Sequence, residues 1–261
     1  MTLVLNEIHM LDGFKRTALV AAADRRITDL TGSKVQNQRK LFRISYLNGA
    51  VAYFGLATFR NSAGRLVNLW DVLPSFIRSH SSVPDLETFA HELRDELHRI
   101  VPKSVLGAGP SGFQICGYNA ALIPEYWILW NIREMRDHLP IRIKSSYKKQ
   151  APVFLGDHAK RLGWDGQDLG SCANGIQIYR NGDFRGHAAA WDLLDDIFKQ
   201  LWLFSDFRRP RTIAEYRDYV RFKFEFIARI QDKWSISRII GKPIDVLVWF
   251  ADATLRQLTV V

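Results

Sequence analysis

Two stretches near the N-terminus decide the fold: residues 17–26 read TALVAAADRR, and residues 40–56 read KLFRISYLNGAVAYFGL. The first begins with a short run of small apolar residues, which is typical of a strand buried on both faces. In the second, Asn48-Gly49 separates two runs rich in β-formers, and this dipeptide is a strong hairpin signal. Residues 3–8 alternate in facing and predict one more strand. We therefore expect the chain to open with antiparallel sheet.

Helices follow in two blocks, separated by further strands. Helices are predicted at residues 67–79, 85–100, 188–204 and 212–234. In the second of these, Leu86, Phe89, Leu93 and Leu97 recur every three or four residues, which is the spacing of an apolar helix face. Further strands are predicted at residues 112–118, 126–132, 151–155, 175–179 and 244–250. Because strands and helices come in blocks, the order favours two antiparallel sheets covered by helices over a doubly wound parallel sheet.

Composition is that of a globular protein: 261 residues, 47% hydrophobic and 24% charged. No apolar run reaches the roughly 18 residues that a membrane helix needs. Asn6, Glu7 and His9 interrupt the place where a signal peptide would be continuously apolar. The two cysteines do not make a disulfide framework, and the seven histidines form no HxH or HExxH motif. We therefore expect a cytoplasmic protein with no metal and no cofactor.

The formal net charge is +9, and basic residues are densest at 133–149 and 208–223. Such a balance suits either a solvated basic surface or a face that binds a polyanion. Neither segment carries a helix-turn-helix, zinc-finger or RNP pattern. The solvated surface is the favoured interpretation, and we do not expect nucleic acid or a membrane as a partner.

The N-terminal part of the sequence resembles proteasome β subunits and bacterial proteasome-like peptidases, which are N-terminal nucleophile hydrolases. Asp24 and Arg26 match the family's Asp-x-Arg, and Lys40 follows Asp24 at the family's spacing of sixteen residues. Gly55 stands where the family keeps its oxyanion glycine. The resemblance is carried by residues 21–28 (AAADRRIT), 30–44 (LTGSKVQNQRKLFRI) and 50–57 (AVAYFGLA).

The C-terminal part resembles the same family. Asp232 and Ser235 match its Asp-x-x-Ser, and residues 240–250 (IGKPIDVLVWF) are similar to its last strand. The resemblance implies an α+β fold, a four-layer αββα sandwich of two antiparallel sheets flanked by helices. It also implies a single domain over residues 1–261, with an insertion within 133–205.

Three departures from the family pattern affect the expected site. The first hairpin, between Thr2 and Asp24, is longer than the family's. Asp157 stands where the family has the serine of Gly-Ser-Gly. Residues 236–240 separate Ser235 from the glycine that should follow it. Whether the family's relay of charge survives these changes is left open by the sequence.

The resemblance implies that Thr2, exposed by removal of Met1, is the catalytic nucleophile. A threonine hydroxyl needs a base, and a free α-amine has a reference pKa of about 7.7–8.0. Lys40, held by Asp24, would favour the neutral amine and stabilise the alkoxide. Asp232 and Ser235 would orient the amine. Gly55 and Arg26 would contact the oxyanion and the bound substrate.

The expected function is therefore cleavage of a peptide or small amide through an acyl-enzyme on Thr2. The resemblance further implies a homo-oligomeric ring and allows for an ATPase partner. The alternative is a catalytically silent, proteasome-like scaffold or ring-forming protein, which the altered segment around Asp157 favours. Each candidate residue also has a plainer interpretation. Thr2 would start a strand, Asp24 would cap a turn beside a solvated Arg26, and Lys40 would be a surface residue. Gly55 would be a packing glycine, and Asp232 with Ser235 would end a helix.

Overall fold

A computed structural model of the chain describes residues 3–28, 34–136, 139–150, 175–182, 188–235 and 239–260. Thr2, the strand expected at residues 151–155 and the segment around Asp157 lie outside these residues. Among the helices described, none has the length and apolar character needed to cross a membrane.

Fourteen strands and five helices are described. The strands are β1 (Leu3–Asp12), β2 (Arg16–Asp24), β3 (Arg26–Thr28), β4 (Lys34–Asn37), β5 (Leu41–Ile44), β6 (Gly49–Phe54), β7 (Thr58–Arg60), β8 (Leu66–Asn68), β9 (Gly112–Tyr118), β10 (Pro124–Arg136), β11 (Leu139–Gln150), β12 (Gly175–Gly182), β13 (Ile244–Asp252) and β14 (Gln257–Val260). The helices are α1 (Leu69–Ser79), α2 (Leu86–Ile100), α3 (Lys103–Ala108), α4 (Ala188–Leu201) and α5 (Ile213–Trp234).

Two five-stranded antiparallel sheets form the body of the protein. The first has the order β12-β1-β2-β13-β14, and the second has the order β11-β10-β9-β6-β5. Period-two alternation in β1 sends Val4 and Ile8 into a core shared with β6, β9 and β10 of the second sheet. Leu3 and Leu5 point the other way, into a core shared with α4 and α5. The two sheets therefore face each other across an apolar core.

Helices cover the outer face of each sheet. A cluster that includes Phe89, Leu93 and Leu97 joins α1, α2 and α3 to the second sheet. The Asp85 side chain caps α2 by accepting a hydrogen bond from Thr88 N at 2.7 Å. Helix α5 begins with a capping box in which Thr212 and Glu215 bond each other's backbone N–H groups.

The expected four-layer αββα sandwich is wrong as a description of this chain. The described part of the chain is mostly antiparallel sheet, with 42% strand against 33% helix. Beside the two large sheets, β3 pairs with β4 and β7 pairs with β8 as separate two-stranded sheets. These polar segments pair locally through backbone hydrogen bonds instead of remaining loops. The five described helices are also divided unequally, three against one sheet and two against the other.

Part of the expected insertion within 133–205 belongs to the sheets. β11 extends the second sheet along β10, with Ile128 opposite Gln150, and β12 extends the first sheet along β1. The remainder between β11 and β12 lies outside the described residues. A single domain over residues 1–261 stays a prediction.

Candidate active site

Asp24 and Lys40 form a buried ion pair at one end of the facing sheets. Asp24 is the last residue of β2, and Lys40 directly precedes β5. Lys40 Nζ lies 3.2 Å from each carboxylate oxygen of Asp24, and both side chains are fully buried. The contact expected between these two residues is therefore present.

Backbone groups complete the surroundings of this pair. Asp24 Oδ1 accepts a hydrogen bond from Leu3 N at 3.0 Å, and Asp24 Oδ2 accepts one from Arg26 N at 3.0 Å. Lys40 Nζ also donates to the carbonyl oxygen of Arg26. The pair thus ties the first described residue of β1 to the segment that follows β2.

Burial shifts the pKa of both members of the pair. Desolvation raises the pKa of Asp24, against the attraction of Lys40 and the bond from Leu3. Desolvation likewise lowers the pKa of Lys40, against the attraction of Asp24. Both shifts favour the neutral forms, because a charge in a low-dielectric site loses its hydration. The attraction between the two side chains opposes this effect in both groups.

Arg26 connects this pair to the C-terminal part of the chain. Its Nη2 donates to Asp232 Oδ1 at 3.0 Å, and its Nη1 donates to the carbonyl oxygen of Ile240 at 3.3 Å. Gly241 packs so closely on this guanidinium that a Cβ there would lie 2.3 Å from Arg26 Nε. The structure therefore brings Asp232 to the site through Arg26, although 206 residues separate the two in sequence.

Ser235 ends α5, three residues after Asp232. Its backbone N donates to the carbonyl oxygen of Gln231 at 3.3 Å, and it occupies the C-cap position. The expected orientation of a Thr2 amine by Ser235 involves a residue outside those described, so this relay stays a prediction.

Gly55 follows β6 at the same end of the molecule. Two residues earlier, Tyr53 N donates to the carbonyl oxygen of Lys40 at 3.3 Å. Gly55 has φ +80°, and a Cβ at this position would lie 2.0 Å from the carbonyl oxygen of Pro110. Close packing against Pro110 is thus a sufficient reason for glycine here. A role as oxyanion donor stays a prediction.

Sequence reasoning missed a second buried cluster of charges, which lies between the first sheet and its helices. Lys223 Nζ donates to Glu7 Oε1, to Asp195 Oδ1 at 2.9 Å and to Tyr219 OH at 3.1 Å. Arg180 pairs with Asp195 from β12. The sequence held one signal of this cluster: Glu7 falls on the same face of β1 as Leu3 and Leu5, and that face is buried.

The described residues contain no group of three or more His, Cys, Asp or Glu side chains arranged to hold a metal ion. Cys116 is buried, and burial raises the pKa of its thiol to about 12. Such a thiol is not a reactive nucleophile at neutral pH.

Comparison with known proteins assigns no family to this arrangement. No protein-family model matches the sequence, and no curated protein matches it. The chemistry of the site therefore has to be argued from the contacts described above.

Proposed function

We propose that the chain is a threonine-type hydrolase that cleaves peptide or amide bonds through an acyl-enzyme on Thr2, after removal of Met1. One observation carries this proposal: the buried Asp24–Lys40 pair accepts the N–H of Leu3, the residue that follows Thr2 in sequence. The bond from Leu3 N to Asp24 supports a position of the ion-paired Lys40 near the start of the mature chain. This is the place where an N-terminal nucleophile needs it.

The proposed reaction needs no group beyond those of the chain and one water. The α-amine of Thr2 takes the hydroxyl proton, and the alkoxide attacks the substrate carbonyl carbon to form a tetrahedral intermediate. The amine nitrogen of the leaving group takes that proton as the C–N bond breaks, which leaves an ester on Thr2. Water then hydrolyses the ester. Lys40 stabilises the alkoxide electrostatically, and Asp24 holds Lys40 in place.

A catalytically silent scaffold is the second candidate. It is favoured by the many hydrogen bonds that Asp24 and Lys40 already make within the protein. Both Asp24 oxygens accept a backbone N–H as well as the lysine, and Lys40 also bonds the Arg26 carbonyl. A pair so fully bonded also serves as a structural tie between β1, β2 and β5. Covalent labelling separates the two candidates.

The test is reaction of the purified native protein with an epoxyketone or a β-lactone, followed by intact mass and peptide mapping. We expect Met1 to be absent and one adduct to form on Thr2. Thr2→Ala should abolish the adduct, whereas Thr58→Ala, at an exposed threonine in β7, should leave it unchanged. Retention of Met1, or an adduct that survives Thr2→Ala, would contradict the catalytic proposal.

The role of Lys40 needs a variant that still folds. Loss of one member of a buried pair costs about 3–5 kcal/mol, because the other charge is left unpaired. The double variant Asp24→Asn/Lys40→Met removes both charges and avoids that penalty. We expect it to unfold cooperatively and to react with the electrophile at least about a hundredfold more slowly. Undiminished labelling of a folded double variant would exclude Lys40 from catalysis.

The partners proposed with this function are a peptide or small amide substrate and further copies of the chain in a ring. An ATPase that delivers protein substrate is compatible with the proposal and is not required by it. The proposed location is the reducing cytoplasm, because the two cysteines of the sequence do not make a disulfide framework.

A further inference from the structure

The segment that joins α4 to α5, residues 202–211, exposes three large apolar side chains close together. Leu203, Phe204 and Phe207 are 76%, 63% and 51% exposed. Phe207 N donates to the carbonyl oxygen of Phe204 at 3.2 Å, so the two phenylalanines lie within one turn of backbone. We call these three residues the apolar tip. Single exposed apolar residues are normal on a surface, but a contiguous group of them marks a binding surface.

Contacts with the two helices hold the apolar tip from both sides. Before it, the ring of Trp202 lies 5.9 Å from that of Phe198 on α4 and 5.6 Å from that of Tyr219 on α5, between centroids. After it, the Arg208 guanidinium donates to both carboxylate oxygens of Glu215 on α5, at 2.9 and 2.6 Å. A segment fixed at both ends loses little conformational entropy when its exposed side chains bind.

Positive charge borders the apolar tip. The segment carries three arginines and one acid, Asp206. Arg208 is compensated by α5, but Arg209 and Arg211 are exposed and have no ion-pair partner among the described residues. The Arg209 guanidinium lies 5.5 Å from the centre of the Trp202 ring, directly beside the tip. The segment therefore joins exposed apolar area to two uncompensated cations.

We propose that the apolar tip inserts into the surface of an anionic lipid bilayer, with Arg209 and Arg211 against the lipid phosphates. Leucine and phenylalanine side chains suit the boundary between headgroups and acyl chains. Surface attachment draws on two contributions, buried apolar area and attraction to anionic lipid, and this segment supplies both. Asp206 is also exposed and opposes insertion, so the attachment is reversible.

A bilayer fits this segment better than a protein partner does. The tip projects three side chains from a turn, and a protein would need a matching concavity to bury them. A bilayer adapts to a projecting side chain without one. The formal charge of +9 over the whole chain also attracts it to an anionic surface.

This attachment is peripheral and differs from the expectation drawn from composition, because the fold sets which side chains a turn exposes. The inference does not rest on the proposed function, since neither Thr2 nor the Asp24–Lys40 pair belongs to the segment. A silent scaffold and an active hydrolase would attach in the same way.

Cosedimentation of the purified chain with lipid vesicles tests the attachment. One set of vesicles contains phosphatidylcholine alone, and the other contains phosphatidylcholine and phosphatidylglycerol in a ratio of three to one. We expect binding to the mixed vesicles that weakens with added salt, and binding at least about tenfold weaker to phosphatidylcholine alone. A wild type that does not bind the mixed vesicles would overturn the proposal and leave a protein as the partner of the tip. Equal binding to both sets would contradict the role of the arginines.

A variant of the tip tests the apolar contribution. Leu203→Ser should lower the partition coefficient for the mixed vesicles by about tenfold. Leu66→Ser is the matched control, because Leu66 is 63% exposed but lies in β8, which precedes α1. It should bind like the wild type. Thermal unfolding should show that both variants remain folded. Unchanged binding of folded Leu203→Ser would exclude the tip from the contact.

Two variants of equal charge test the position of the cations. Arg209→Gln/Arg211→Gln should lower the partition coefficient by about tenfold or more. Arg142→Gln/Lys144→Gln removes the same charge from β11 and should change it by less than about twofold, because β11 lies outside the proposed contact. An equal loss in the two variants would show that net charge and not the tip governs binding, and would overturn the proposal.

Discussion

Gly55 and Gly64 both adopt the left-handed backbone region, with φ +80° and +75°, but their surroundings differ. A Cβ on Gly55 would collide with Pro110, whereas a Cβ on Gly64 would meet no atom within 4 Å. Gly64→Ala should therefore lower the free energy of unfolding by about 1 kcal/mol, the cost of the left-handed backbone alone. Gly55→Ala should lower it by about 3 kcal/mol or more, because the Cβ also collides with Pro110. Urea unfolding of the two variants measures the difference.

An equal loss of unfolding free energy in the two variants would show that the backbone at Pro110 moves easily to make room for a Cβ at position 55. Such a result would weaken the packing explanation for this glycine and favour the oxyanion role. Activity measured on a folded Gly55→Ala variant then becomes the informative comparison.

At the residue scale, the sequence predicted contacts that a motif carries and missed those that only packing creates. Asp24 and Lys40 were paired by a spacing of sixteen residues, and they do meet. Glu7 and Lys223 are 216 residues apart and belong to no motif. Their contact depends on how α5 lies on the first sheet, which no local pattern specifies.

Among the elements, α5 is held to the first sheet by the charge cluster around Lys223. This lysine is fully buried and compensates Glu7 and Asp195. Lys223→Met removes the lysine that Glu7 and Asp195 share, and only Asp195 keeps a second cation, Arg180, so the free energy of unfolding should fall by about 3–5 kcal/mol. Lys233→Met, at an exposed lysine of the same helix, should change it by no more than about 0.5 kcal/mol. Denaturant titration of both variants checks this prediction.

A small effect of Lys223→Met would mean that Glu7 takes up a proton in the folded variant. In that case the variant should become more stable as the pH is lowered, whereas the wild type should not. Titration at two pH values distinguishes this outcome from an unimportant cluster.

Elements with their own local signals were predicted well. Helix α2 begins after Asp85, close to the start that its periodicity indicated, and Asn48-Gly49 lies at the turn from β5 into β6. β11 was not predicted, because both of its faces carry charge. Only residues 141–144 alternate between isoleucine and basic residues. Its pairing with β10 is made by backbone groups, which are not encoded in side-chain pattern. β3 and β4 escaped prediction for the same reason.

For the whole molecule, resistance to acid should depend on Glu7. Burial alone raises the pKa of this carboxyl, but Lys223 and His9 outweigh burial and lower the pKa from 4.5 to about 2. A carboxyl with a depressed pKa contributes stability above its unfolded pKa and loses it as the pH falls through the folded value. Between about pH 6 and about pH 3, Glu7 should account for a loss of about 2 kcal/mol.

Glu7→Gln should remove this contribution, so that its stability falls less over the same pH interval. The measurement is urea unfolding at both pH values for wild type and variant. Glu87→Gln, at an exposed glutamate of α2, serves as the control and should keep the wild-type slope. Identical slopes for Glu7→Gln and wild type would contradict the assignment.

The arrangement of the sheets in the whole molecule was the feature that the sequence predicted least well. Blocks of strands and helices predicted two antiparallel sheets with helices outside them, and the two five-stranded sheets are present. The regular four-layer sandwich implied by the resemblance was wrong, because β3 with β4 and β7 with β8 form two further sheets beside the two large ones. Short polar strands leave little trace in hydrophobic periodicity.

The position of β11 has a consequence for the behaviour of the protein at high concentration. β11 is the outermost strand of its described sheet, and an outer strand offers unpaired backbone groups to any other chain. Arg142, Lys144 and Lys148 are exposed along it, so a second copy approaching edge to edge would bring like charges together. Part of the net charge of +9 thus acts as protection against aggregation, which a polyanion would neutralise.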